Sequence, residues 1–314
     1  MKVKYLFSLC LLLISLSAMS QERTIASIIK PYSFTTHYLD INDSTTIAYV
    51  DEGRGDKTLI FVHGLATYLP SWQKNIPELK KHYRCIAIDL PGYGRSSKSL
   101  SHATMSYYAQ SINQLIEKLK LEKVTMVGHS MGAQVSMTVA LQYPEKVESL
   151  ILAAPAGFET FNEKEAIWLR SIFKPEAVAA ASPEQIRFNY GLNFYKMTAD
   201  VEFMIQDRIK MTAAKDFMLY CKTISKGVSG MLDEPVFQQL KDLQQPVMVV
   251  YGENDALIPN PILHKAVTTA DIAKKGHEQL PNSQLKMIRE CGHFVPFEKP
   301  DIFNRIIVDF LGGR

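Results

Sequence analysis

Residues 124–140 read VTMVGHSMGAQVSMTVA. An apolar run ending at Val127 passes directly into Gly128-His129-Ser130-Met131-Gly132, and then into small, helix-compatible residues. A serine between two glycines at a strand-to-helix junction has two readings: a turn residue, or a nucleophile raised on a sharp elbow. The elbow accounts for both glycines. So tight a turn holds the serine in a strained conformation, and neighbouring side chains would collide there. It leaves the hydroxyl at the carboxyl end of a sheet, beside a helix N-terminus whose free N–H groups stabilise an anion.

The surrounding pattern supplies that sheet. FTTHYLDIND and TTIAYVDEG alternate and are rich in β-branched residues, and Gly53-Arg54-Gly55-Asp56 turns the chain into TLIFVHG. TLIFV is continuously apolar, as a strand covered on both faces must be. SWQKNIPELKKHY reads as helix, RCIAIDL as strand, MSYYAQSINQLIEKLKL as helix and KVTMVGH as strand, followed by the helix after Ser130 and the strand VESLILAAP. This alternation predicts an α/β fold with a mostly parallel central sheet flanked by helices. The rhythm breaks over 157–240, a stretch rich in aromatic residues and methionine with no strand pattern, and resumes with PVMVVYGEND. NPILHKAVTTADIAKK then reads as helix, SQLKMIREC as strand and PDIFNRIIVDFL as a terminal helix. The expected division is a core of 34–156 and 241–314, with 157–240 inserted as a helical cap.

Residues 1–20 follow another logic. Lys2 and Lys4 precede the apolar run Tyr5–Leu16, and the small residues Ser17-Ala18 and Ser20 precede polar Gln21-Glu22-Arg23. This is the three-part pattern of a secretory signal peptide cleaved near Ser20, and it implies a periplasmic or secreted protein. The apolar run is shorter than the roughly 20 residues that span a bilayer. Beyond it, 46% hydrophobic content across 314 residues is enough for a full core, and a net charge of +3 with scattered Lys and Arg argues against nucleic acid as a partner. Cys85, Cys221 and Cys291 form no metal-ligand spacing and no disulfide framework. A Cys221–Cys291 pair cannot be assigned from sequence.

A serine hydroxyl needs a base. Of the candidates, His129 lies inside the elbow and His63 closes a strand, where it would order the adjoining loop. His293, in RECGHFVPFEKP, falls after the last strand, at the sheet end that carries Ser130. The carboxylate that orients it should lie between the two in chain order. Asp255, just past the strand VMVVYG, meets this condition, with Glu253 and Asp233 as competitors. The backbone N–H groups of Met131, after the nucleophile, and Leu65, after Gly64, are placed to form an oxyanion hole.

FVHGL (61–65), DLPGYGRSS (89–97), VGHSMGAQ (127–134), GENDALIP (252–259) and CGHFVPFEKP (291–300) stand in an order that resembles the α/β-hydrolase superfamily from about residue 34 onward. The resemblance implies an α/β-hydrolase fold and a Ser130–Asp255–His293 triad, with a structural role for DLPGYGRSS. It implies no metal and no cofactor. Relatives that open epoxides or displace halide carry aspartate where Ser130 stands. What it favours is a serine esterase acting through an acyl-enzyme on a small molecule, and the apolar 157–240 block suits an acyl or aromatic substrate part. A carbon–carbon bond hydrolase or a cofactor-free haloperoxidase or perhydrolase would use the same three residues. A ligand-binding protein without catalysis is a further alternative.

Overall fold

The strand that carries the elbow is the centre of the molecule. In the computed structural model, which describes residues 23–98 and 102–312, β5 (Val124–His129) is buried at every position. Its neighbours are β3 (Thr58–Val62) and β6 (Val147–Ala153), both parallel to it. The other strands are β1 (His37–Asn42), β2 (Thr45–Glu52), β4 (Arg84–Ile88), β7 (Val247–Gly252) and β8 (Ser283–Ile288). They form one eight-stranded sheet in the order β1-β2-β4-β3-β5-β6-β7-β8. Only β1 and β2 run antiparallel to their neighbours. The expected fold class is the one observed.

Helices cover both faces. One side packs Met105–Lys118 and Met131–Gln142 against a core that includes Ile60, Val62, Met126 and Leu150. The other side buries Phe61, Trp72, Val127, Ile151, Phe303 and Ile307 beneath the terminal helix Pro300–Leu311. Pro300 is its first residue, where a missing N–H costs nothing.

Between β6 and β7 the described chain is helical: Glu163–Ile172, Pro175–Ala179, Pro183–Gly191, Glu202–Met211 and Phe217–Asp233. Asn162 and Glu165 cap the first of these reciprocally. A connection not foreseen from sequence ties this layer down from the N-terminal side. The Lys30 N–H donates to Asp207 Oδ2 at 2.9 Å and the Ile25 N–H to Asp216 Oδ1 at 2.8 Å. Tyr32 donates to Asp89 at 2.5 Å. Residues 23–32 therefore strap the helical layer to the sheet domain.

The helix expected over NPILHKAVTTADIAKK begins only at Thr269. Before it, the Asn260 side chain accepts the N–H groups of Ile262 and Leu263, both at 3.0 Å, closing a turn. Thr268 and Asp271 then form a capping box that starts the helix. The three described cysteines are free and buried, so no Cys221–Cys291 bridge exists here. Burial pushes the Cys85 and Cys291 thiols up to about 12. The 1–20 signal reading lies outside the described residues, among which no helix is long and apolar enough to cross a membrane.

Candidate active site

Ser130 adopts φ 53° and ψ −120°, a left-handed conformation rarely tolerated by a residue with a side chain. The turn is locked from outside. The Ser130 N–H donates to Ala153 O at 2.9 Å, and its carbonyl accepts from Ala133 N at 2.9 Å and Ala156 N at 3.2 Å. A Cβ on Gly128 would lie 2.5 Å from the Ala133 Cα, and one on Gly132 would lie 2.2 Å from the Val62 carbonyl. Both glycines are thus required by close backbone approach, as the elbow reading predicts.

His293 and Asp255 meet. His293 Nδ1 donates to Asp255 Oδ2 at 2.7 Å, and neither side chain is more than 4% exposed. Asp255 Oδ1 accepts the N–H groups of Leu257 at 2.8 Å and Ile258 at 3.0 Å, so the carboxylate cannot rotate away. With Nδ1 donating, Nε2 is the ring nitrogen left to accept a proton. The competing acids are elsewhere: Glu253 is exposed, and Asp233 pairs with Arg170 at the surface. Ser130 and His293 line one cavity of about 1080 Å³. Among the described residues, no hydrogen bond joins the Ser130 hydroxyl to His293, a contact that typically tightens when substrate binds.

The other two candidate histidines hold backbone. His63 accepts the Leu90 N–H on Nε2 at 3.1 Å, so its Nδ1 carries the proton and donates to Gly64 O at 2.8 Å. Thr67 Oγ1 donates to the same carbonyl at 3.2 Å. Because a trans peptide is planar, fixing that carbonyl aims the Leu65 N–H to the opposite side. Met131 opens its helix, so its N–H has no intrahelical acceptor. His129 donates from Nε2 to the His293 carbonyl at 3.0 Å and stacks on Phe294, with ring centroids 4.7 Å apart and planes at 3°. Burial holds His129 neutral, well below the usual imidazole range, and lowers His63 too. Asp89, in DLPGYGRSS, accepts from Tyr32, from Leu69 N at 2.7 Å and from Arg95 N at 2.8 Å. It is a structural hub at the sheet's end.

Two cavity residues carry no motif in the sequence. Arg208 is 7% exposed and forms no ion pair among the described residues. Its guanidinium lies over Phe217 and Tyr220, and Nη2 donates to Val178 O at 3.2 Å while buried Nη1 has no partner. Glu159, 8% exposed, lies on the loop after β6. Neither lies near the elbow in sequence, and no local pattern marks either. Among the described residues no cluster of His, Cys, Asp or Glu could hold a metal ion.

The family model described as alpha/beta hydrolase fold matches residues 57–300, and the chain belongs to that family. It is similar to an uncharacterised hydrolase, YugF, of Bacillus subtilis, with 30% identity over 82% of this chain and 90% of that one. It is 24% identical to a 2-hydroxy-6-oxononadienedioate/2-hydroxy-6-oxononatrienedioate hydrolase of Paraburkholderia phymatum, over 88% of this chain and 96% of that one. Among solved structures, a probable hydrolytic enzyme from Pseudomonas aeruginosa superposes with a TM-score of 0.83 at 23% identity, over 92% and 97% of the two chains.

Proposed function

We propose that the protein is a serine hydrolase that cleaves carboxylic esters by acyl transfer. The observation that carries this is the strained Ser130, sharing a cavity with a His293 whose other nitrogen is bonded to a fixed Asp255. His293 Nε2 takes the hydroxyl proton as Ser130 Oγ attacks the ester carbonyl carbon. The Leu65 and Met131 N–H groups hold the resulting oxyanion. The C–O bond to the alcohol breaks as His293 returns the proton to the leaving oxygen. Water, deprotonated by the same histidine, then attacks the acyl-enzyme and frees the acid and Ser130. The helical layer supplies apolar walls such as Leu169, Ile186 and Val228, which suit an apolar acyl or aromatic part. The N-terminal pattern supports export to the periplasm or beyond.

One observation favours a second reading. Arg208, a cation in the cavity wall with no ion-pair partner among the described residues, suits a substrate bearing a carboxylate. The dienedioate named for the Paraburkholderia relative carries one at each end. On that reading the same triad serves a carbon–carbon bond cleavage.

The test is fluorophosphonate labelling of the purified protein, with the adduct located by peptide mass spectrometry. An adduct on Ser130 that is lost in His293→Ala is expected, together with turnover of p-nitrophenyl esters. Absence of labelling under conditions that label a control esterase would favour a ligand-binding protein. Turnover of a vinylogous diketone acid faster than any ester, lost in Arg208→Leu, would establish the second reading.

A further inference from the structure

Glu159 is a buried carboxylate that the triad does not use. The loop that carries it is held by Gly157, at φ +91°, and by Phe158, which is fully buried and packs so closely on Gly276 that a Cβ there would lie 1.9 Å from the ring. Glu159 Oε1 is doubly engaged, accepting the Asn260 N–H at 2.7 Å and His264 Nδ1 at 2.5 Å. His264 is itself held, stacked on Phe161 at 5.4 Å with its Nε2 3.5 Å from Glu165 Oε1. The carboxylate is thus oriented from two sides, and Oε2 has no hydrogen-bond partner among the described residues. Glu159 lines the same cavity as Ser130 and His293.

A carboxylate oxygen is an acceptor only, and one left open in a cavity wall selects for donors. We propose that Glu159 is a specificity residue that accepts a hydrogen bond from a hydroxyl group of the substrate. This rests on the ester-hydrolase reading and narrows it: the preferred esters carry a hydroxyl on the part lying along the loops after β6 and β7. A neutral donor fits better than an ammonium group, which would have to shed its water in a cavity with largely apolar walls. Burial raises the Glu159 carboxyl, with Asp255 adding to the rise and the Asn260 and His264 bonds opposing it.

The experiment measures binding apart from turnover. Affinities of glycerol monobutyrate against propyl butyrate, of ethyl 3-hydroxybutyrate against ethyl butyrate, and of butyrylcholine against propyl butyrate are measured by calorimetry on Ser130→Ala. They are repeated on Ser130→Ala combined with Glu159→Leu and with Glu159→Gln. Glutamine retains an oxygen for the Asn260 N–H, and so guards against a folding defect in the leucine variant. The expected result is a preference of about tenfold for the hydroxylated member of at least one pair, falling below about twofold in both double variants. No such preference, one that survives both substitutions, or a larger preference for butyrylcholine would overturn the proposal. Turnover of the same esters by the unsubstituted protein is scored separately. Its absence would strike the ester reading alone, since the binding ratio stands without catalysis.

Discussion

The sheet and the helical layer above it are built by different rules. β5 and β7 are buried along their whole length, and the residues that approach their ends do so through backbone at van der Waals limits. The helical layer exposes Ile167, Ile172 and Phe188, and Gly191 at the end of one of its helices has nothing within 4 Å of where a Cβ would stand. The first region leaves its residues no alternative positions, which reactive groups need; angstrom misplacement of such groups costs orders of magnitude in rate. The second tolerates variation, and its cavity-facing residues are suited to choosing among substrates.

The largest test of that division is in the sheet. Ser130→Ala or His293→Ala is expected to lower turnover by on the order of 10⁴–10⁶ for every substrate alike, with the fold intact by circular dichroism. Asp255→Asn is expected to cost less, on the order of 10⁴, because the carboxylate orients His293 and does not transfer the proton. A silent Asp255→Asn would remove that residue from the mechanism. Next in size, Gly132→Ala should destabilise by about 1–3 kcal/mol or more in denaturant unfolding, since its methyl would press on the Val62 carbonyl. A neutral result there would break the argument that the elbow is sterically forced.

A pH effect follows from the buried imidazoles. The folded values of His129 and His63 lie below their ordinary 6.5, so the unfolded chain binds more protons as pH falls below about 6.5. Their contribution is therefore complete above that pH and is lost as pH drops towards the folded values. Chemical denaturation at pH 7.5 and 5.5 should show the loss, and His129→Gln should flatten it. The smallest expected effect is in the helical layer: Gly191→Ala should raise stability by about 0.4–1 kcal/mol, through the unfolded chain alone. A loss at Gly191 would mean that the layer is packed as closely as the sheet.

How much was legible follows the same boundary. GHSMG declared its turn because only glycine tolerates the contacts at 128 and 132, and HGL and GEND declared theirs by falling at strand ends. The 260–268 loop was misread as helix because its apolar spacing imitates one; the readable correction was the Thr268–Asp271 capping box. Arg208 and Glu159 were missed because nothing local distinguishes a surface charge on a helix or loop from one turned into a cavity. The strap formed by residues 23–32 was invisible for a related reason, since its partners Asp207 and Asp216 lie far along the chain.

By itself the amino-acid sequence determined the α/β architecture, the elbow and the order of the candidate triad, because each depends on local constraints: strand periodicity, turn sterics and chain order. The tertiary structure alone decided which acid His293 holds, which carbonyl His129 fixes, and that Arg208 and a half-used carboxylate line one cavity. Those are relations between residues tens to hundreds of positions apart, and burial, which raises the energetic stakes of every polar group, exists only once the chain has closed on itself.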